Sequence, residues 1–442
     1  MYQVKKIFSL ALPSGINAFL DVLVVALSVF FVGKISHHHI VALGVGLQFL
    51  MLFYGINTIL YTGTNAILSR LVGARDFTQI NHAFSSIFIG AFVICLGVLF
   101  VSYFLIEPFL NWMRLQDPSR QLTQDYLEVL VIALPSIFLK NVLVSALASF
   151  SDTLTPFIVK IIMVIACIFL NQALIFGDFG FKEMGIVGSA LANVIVSYLE
   201  LLVLGVWIQI KKIPLKFKIT FNFSFLKTMF RVGWPAGFER LLSLFSLILL
   251  SKFVASYGDK VLAGMQIGIR VETFSFMPGF GFMIAAMVLT GQNLGANKPK
   301  IATEYAHLIL KISMGLMGVL GIVLVLFAKE FASLFSQDEE VLEVARSYLI
   351  AVGLSQAPLI GYFVLDGVFR GAGISKVSLY INTLSLWGLR IMPIYLLLIY
   401  HFKVEFIFVV IASETFLRSF IYYKVFSKGI WKRCGKKGLI IA

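Results

Sequence analysis

The chain has 442 residues, of which 59% are apolar and only 13% charged, with a formal net charge of +14. That composition offers too little polar surface to cover a water-soluble globule of this length, so lipid must solvate much of the chain. Apolar runs of about twenty residues recur throughout, and in hydrocarbon every backbone amide needs a partner within its own segment or in a closed barrel. Barrel strands alternate and are about half as long, so these runs are read as helices.

The first run follows Lys5 and Lys6 without a small-residue cleavage site and is expected to be a retained helix rather than a signal peptide. Twelve spans are predicted, at 7–33, 40–68, 83–106, 123–147, 156–177, 185–210, 228–254, 261–290, 301–327, 343–369, 377–400 and 406–426. His37, His38 and His39 fall in a short outer loop and read as a solvated polar turn, not a metal site. One set of loops, with both termini, gathers most of the loop Lys and Arg. Among them are Lys211, Lys212, Lys216, Lys218 and Lys227 in the centre and Lys428, Lys432, Arg433, Lys436 and Lys437 at the end. The opposite set is sparser and begins with Lys34, Arg114 and Arg120. Positive loops stay inside, so both termini and the 211–227 linker are expected in the cytoplasm of a multi-pass inner-membrane protein. Topology accounts for the basic charge, and no nucleic-acid partner is expected. Cys95 and Cys167 lie in spans and Cys434 in the tail, so no disulfide framework is implied. Neither Cys-x-x-Cys nor His-Glu-x-x-His occurs, and no metal or cofactor is expected.

Sliding the chain against itself by 222 positions superposes Pro13 on Pro235, Gly15 on Gly237, Gly46 on Gly268, Gly73 on Gly295 and Ala74 on Ala296. Apolar runs match by chance, whereas Gly and Pro at one shared offset do not. The expected fold is therefore all-α, with twelve transmembrane helices in two pseudo-symmetric six-helix bundles. Residues 1–210 form the amino-terminal lobe, 211–227 a cytoplasmic basic linker, and 228–442 the carboxy-terminal lobe with a short basic tail. Two similar bundles that rock about a shared site make a transporter, and without a Gly-x-x-x-x-Gly-Lys-Ser/Thr loop the energy must come from an ion gradient or a partner.

An ionisable group at membrane depth is expensive, so each one is a functional candidate. Asp21 lies mid-span among Leu20, Val22, Leu23 and Val24 and is expected to load and release coupling protons. Asp366 stands four residues before Arg370, at ion-pairing distance along a helix, and is a further coupling candidate. Lys140, Arg270, Glu272 and Arg390 read as interhelical pairs or snorkelling groups, and Glu414 with Arg418 as an i,i+4 pair.

Several fragments, taken with their order and duplication, resemble the multidrug and toxic compound extrusion (MATE) transporters of bacterial type. They are Leu12-Pro13 with Phe31-Val32-Gly33, Leu71-Val72-Gly73-Ala74-Arg75, Asn171-Gln172-Ala173-Leu174-Ile175-Phe176-Gly177 and Gly185-Ile186-Val187-Gly188-Ser189-Ala190 in the first half. In the second half they are Pro235-Ala236-Gly237-Phe238-Glu239, Gly291-Gln292-Asn293-Leu294-Gly295-Ala296 and Arg370-Gly371-Ala372-Gly373. The resemblance implies a secondary antiporter that exports small cationic or amphipathic drug-like compounds in exchange for H+ or Na+ by alternating access. The alternative within the wider superfamily is a flippase for a lipid-linked saccharide precursor. The resemblance also marks Glu239 as a coupling or substrate-charge residue and Ser28, Asn171 and Asn193 as candidate polar lining. Where the family usually carries carboxylates this chain has a hydroxyl at Ser28 and amides at Asn171 and Asn193. An integral-membrane enzyme is disfavoured, because no acid–base or metal constellation clusters in the sequence. The expected partners are the lipid bilayer, small-molecule substrates and the coupling ion, with the chain acting as a monomer.

Overall fold

The structure is a computed structural model that describes residues 2–211, 213–217 and 220–432. Cys434 and the basic residues Lys212, Lys218, Arg433, Lys436 and Lys437 lie outside the described residues. Twelve helical spans follow in the expected order. In the first half they are α1 (Tyr2–Gly33), α2 (His37–Met51 and Tyr54–Ala74), α3 (Phe77–Met113), α4 (Ser119–Ser149), α5 (Leu154–Phe176) and α6 (Gly185–Ile210). In the second they are α7 (Phe223–Ala255), α8 (Asp259–Gly295), α9 (Pro299–Leu326), α10 (Glu339–Leu354 and Gln356–Gly371), α11 (Ser375–Ile399) and α12 (Glu405–Ser427).

Among the described residues, nine of these are single helices long and apolar enough to cross a bilayer, while α2 and α10 are pairs bent by 45° and 53° at a short break. The remaining span, α7, has 33 residues but carries Glu239, Arg240 and Lys252 inside its apolar run, which dilutes it. The helices overrun the apolar runs, as where α3 covers Phe77–Met113 and the hydrophobic run only 83–106. Hydropathy marks the hydrocarbon segment alone, whereas a helix continues into the hydrated interface. The three histidines are likewise not in a loop but open α2, where His38 Nδ1 is 2.9 Å from Ser119 Oγ and His39 Nδ1 is 2.7 Å from Ser36 Oγ.

The 222-residue repeat is visible in the backbone. Left-handed residues at Arg75, Ser151 and Phe179 recur at Asn297, Gly373 and His401, each 222 positions on. The 3-10 turn at Val131–Ala133 inside α4 recurs as the break at Ser355 in α10. Packing repeats as well. Gly46 lies against the Tyr126 ring and Gly268 against the Tyr348 ring, with no room for a side chain at either glycine. Both partners are 222 apart, so the repeat extends to contacts between helices.

The chain forms two compact units, one of residues 17–233 and one of the residues up to Ile16 with those from Trp234 onward. The change of unit therefore falls inside α1 and α7, close to Pro13 and Pro235, and not at the 211–227 linker. A proline within a helix removes one backbone hydrogen bond and clashes with the preceding turn, which lets the two parts of a helix diverge. In the amino-terminal unit α4 is the hub, packing on α2, α3 and α6; in the carboxy-terminal unit α10 plays this part with α8, α9 and α12. Large apolar side chains such as Phe92, Val93, Phe100, Phe104, Ile162 and Ile165 remain exposed, a surface suited to lipid and not to water.

Candidate coupling sites in the two units

In the amino-terminal unit four spans bring four charges together. Asp21 on α1 meets Lys160 on α5, with Oδ1 to Nζ at 2.6 Å. Lys160 also reaches Glu200 Oε2 on α6 at 3.4 Å, and Lys140 on α4 reaches the same oxygen at 2.9 Å. Lys160 and Glu200 are buried, with side chains 7% and 5% exposed, whereas Asp21 is 57% exposed. Asp21 therefore does not stand as a lone carboxylate among apolar neighbours: two carboxylates and two ammonium groups form one charge-balanced chain. Local sequence could not show this, because each partner lies on a different helix. By the rule that intramembrane charges are functional, Lys160 and Glu200 are candidates as well, although neither is among the residues expected from the sequence.

The polar positions implied by the family resemblance are turned elsewhere. Ser28 is buried and donates to the Val24 carbonyl at 3.1 Å. The Asn171 amide donates to the Cys167 carbonyl at 2.8 Å, and that of Asn193 to the Ser189 carbonyl at 2.9 Å. Each bond runs back one turn along its own helix, and among the described residues none of the three hydrogen-bonds to Asp21.

The carboxy-terminal unit holds a second cluster. Glu239 on α7 receives both carboxylate contacts from Arg370 Nη2, at 3.1 and 3.0 Å, and a 2.7 Å bond from the Asn382 amide on α11. Arg370 Nε lies 2.8 Å from Asp366 Oδ2, the expected i,i+4 pair on α10. Glu239 and Asp366 thus share one guanidinium, an arrangement not anticipated from either residue's surroundings in the chain. Asp366 Oδ1 and Asn382 Oδ1 are buried and accept no hydrogen bond within the protein among the described residues.

Behind this cluster, Glu414 on α12 accepts from Arg390 Nη2 at 2.6 Å, from Arg418 Nε at 2.6 Å and from Ser385 Oγ at 2.5 Å. Ser385 and Arg390 open and nearly close a π-helical stretch, Ser385–Ile391, inside α11. In a π-helix residues five apart are joined, so both side chains reach one carboxylate. Glu272 on α8 accepts a 2.6 Å bond from the Tyr348 hydroxyl, and Arg418 lies over the Tyr362 ring at 4.7 Å.

The two clusters occupy related places. Lys160 and Asn382, Lys140 and Tyr362, and Glu200 and Tyr422 are each 222 apart, and Asn17 is the mate of Glu239. The carboxylate of the first helix has moved by one turn, from the Glu239 position to the Asp21 position, while its partner on the fifth helix keeps its place in the repeat.

Comparison with known proteins agrees with this duplication. The MatE family profile matches the chain twice, over residues 13–172 and 235–396, and the two matches begin 222 residues apart. A protein of Thermotoga maritima described as "Probable multidrug resistance protein NorM" is 25% identical over 97% of this chain and 93% of its own length. "Probable multidrug resistance protein YoeA" of Bacillus subtilis is 24% identical over 84% of this chain and 82% of its own. Among solved structures, the Vibrio cholerae MATE transporter VcmN in the bent form superposes with a TM-score of 0.91 at 20% identity, covering 98% of both chains; this likeness bears on the fold. With both halves matched by the profile, the chain belongs to the MatE family, the multidrug and toxic compound extrusion transporters that its motifs resemble.

Proposed function

We propose that this protein is a secondary antiporter of the inner membrane, with both termini cytoplasmic, that exports small cationic or amphipathic compounds in exchange for H+ or Na+. The names of its relatives support the export of drugs. The observation that carries the coupling is the Glu239–Arg370–Asp366 cluster: two carboxylates share one guanidinium, and Asp366 Oδ1 and Asn382 Oδ1 have no protein donor among the described residues. One negative charge is left over in a low-dielectric interior, where an unpaired charge is costly. A proton or a metal cation bound there neutralises it; so does a cationic substrate. Ligands that compete for one charge lower each other's affinity reciprocally, and alternating access turns that competition into exchange. The chain acts as a monomer in this reading, and it needs no enzyme chemistry or cofactor.

The test is expression in a drug-sensitised bacterium. The parent raises tolerance to several unrelated cationic dyes and expels them from energised vesicles. Glu239→Gln and Asp366→Asn are expressed and inserted but lose gradient-driven efflux. Rescue of envelope assembly without dye tolerance would instead assign the chain as a flippase of lipid-linked saccharide.

A further inference from the structure

We infer that Lys160 is a tethered counter-cation, standing in the amino-terminal unit where the carboxy-terminal unit leaves room for an exchangeable one, so that only one lobe of the transporter exchanges a cation. This rests on the coupling reading of the Glu239 cluster and extends it to a residue and a lobe which that reading does not cover.

The first support is position. Lys160 on α5 and Asn382 on α11 are repeat mates, 382 − 160 = 222, and each contacts the carboxylate presented by the first helix of its own half. An ammonium at 2.6 Å therefore takes the place of a neutral amide at 2.7 Å. Lys140 and Glu200, which complete the amino-terminal network, are mates of Tyr362 and Tyr422, whose rings lie 5.9 Å apart. The same three places in the two halves hold three charged residues in one and none in the other.

The second support is charge. In the amino-terminal unit Asp21 and Glu200 are matched by Lys140 and Lys160, a sum of zero. In the carboxy-terminal unit Glu239 and Asp366 share Arg370, a sum of minus one for that cluster, while Glu414 pairs with Arg390 and Arg418 in a separate set. The groups that face Asp21 from neighbouring elements are Lys160 of α5 and, beyond it, Lys140 of α4 and Glu200 of α6. An ion that loads the Glu239 cluster leaves it neutral, and the Asp21 network is neutral already. The Lys160 ammonium balances the same kind of carboxylate as a bound ion but is covalently attached and cannot leave. It therefore holds the charge of a loaded site without contributing an ion to the cycle.

Lys160→Asn tests this directly, since it installs at position 160 the amide that the other half carries at Asn382 and brings the amino-terminal sum to minus one. The measurement is the number of cations bound at equilibrium by the purified full-length protein in detergent, counted with radioactive sodium and, separately, by proton uptake on acidification. Lys160→Asn is expected to bind one more cation per chain than the parent, and Lys160→Asn with Asp21→Asn to return to the parental number. Lys160→Gln serves if the asparagine variant does not fold, and Asp21→Asn in the parent background is read in either case, with an unchanged count expected. A parental count that falls by one on Asp21→Asn would overturn the inference, because Asp21 would then be exchanging its own cation. So would a folded, monodisperse Lys160→Asn or Lys160→Gln protein with an unchanged count. Equilibrium counts require no export, so loss of dye efflux in the parent assay would sink the antiporter reading while leaving this result standing.

Discussion

At the scale of single residues, Arg370 is the most consequential side chain in the carboxy-terminal unit, because among the described residues it alone bridges Glu239 and Asp366. Removing one partner of a buried ion pair leaves the other charges uncompensated, at a cost of about 3–5 kcal/mol. Arg370→Ala should therefore lower the unfolding free energy in detergent by about that amount, and Glu239→Gln added to it should restore part of the loss. If the double variant is less stable than Arg370→Ala alone, Arg370 does not serve as the shared counter-ion. The tyrosine mates Tyr126 and Tyr348 give a second contrast. Each ring packs on a repeat-related glycine, but among the described residues only Tyr348 donates to a carboxylate, that of the half-buried Glu272, at 2.6 Å. A hydrogen bond to a charged group contributes about 1.5–3 kcal/mol, so Tyr348→Phe should destabilise by that order while Tyr126→Phe stays near neutral in the same denaturation assay.

At the scale of elements, close helix approach depends on particular glycines. A Cβ on Gly233 would strike the Ile59 carbonyl oxygen, and one on Gly281 the Ala11 carbonyl oxygen. These contacts are one contact seen twice, since 233 − 11 and 281 − 59 are both 222. Each pins the opening part of α7 or α1 to the unit in which it packs. Backbone atoms cannot swing aside as side chains do, so Gly233→Ala and Gly281→Ala should each cost about 1–3 kcal/mol through overpacking. Gly97, in the middle of α3, has nothing within 4 Å of an added Cβ. Gly97→Ala should be neutral or gain up to about 1 kcal/mol, because a helical glycine loses more backbone entropy than alanine on folding. Thermal denaturation of the three variants side by side would show whether contact or propensity governs them, and equal behaviour of all three would refute the contact argument. The π-helical stretch Ser385–Ile391 belongs to the same scale. Its wider turn brings Ser385 and Arg390 onto Glu414 together, a geometry no α-helical reading of the apolar run contains.

At the scale of the whole molecule, the excess of Lys and Arg in alternate loops sets the orientation. A reporter fused after Ala442 should behave as cytoplasmic and one inserted near His38 as external. The opposite pattern would overturn the orientation. The twelve-span order with its duplication also predicts that coupling residues need not be matched between halves. The two units share a backbone plan and differ in charge, and a repeat can preserve contacts such as Gly46 on Tyr126 while its polar groups diverge.

Much of this was legible in the sequence alone. Lipid as the solvent, the order of twelve spans and the 222-residue repeat follow from run length, composition and the spacing of Gly and Pro, all of them properties of consecutive or regularly spaced residues. The i,i+4 pairs Asp366–Arg370 and Glu414–Arg418 were equally readable, because a helix alone brings such residues together. What only the tertiary structure decided is which distant charges meet: Asp21 with Lys160 across 139 positions, Lys140 with Glu200 across 60, and Glu239 with Arg370 across 131. In lipid both faces of a span are apolar, so periodicity does not reveal which face turns inward or which helix it turns toward. A charge within a span finds its partner through the packing of whole helices, and that packing alone makes Asp21 one member of a balanced network and Glu239 one member of an unbalanced one.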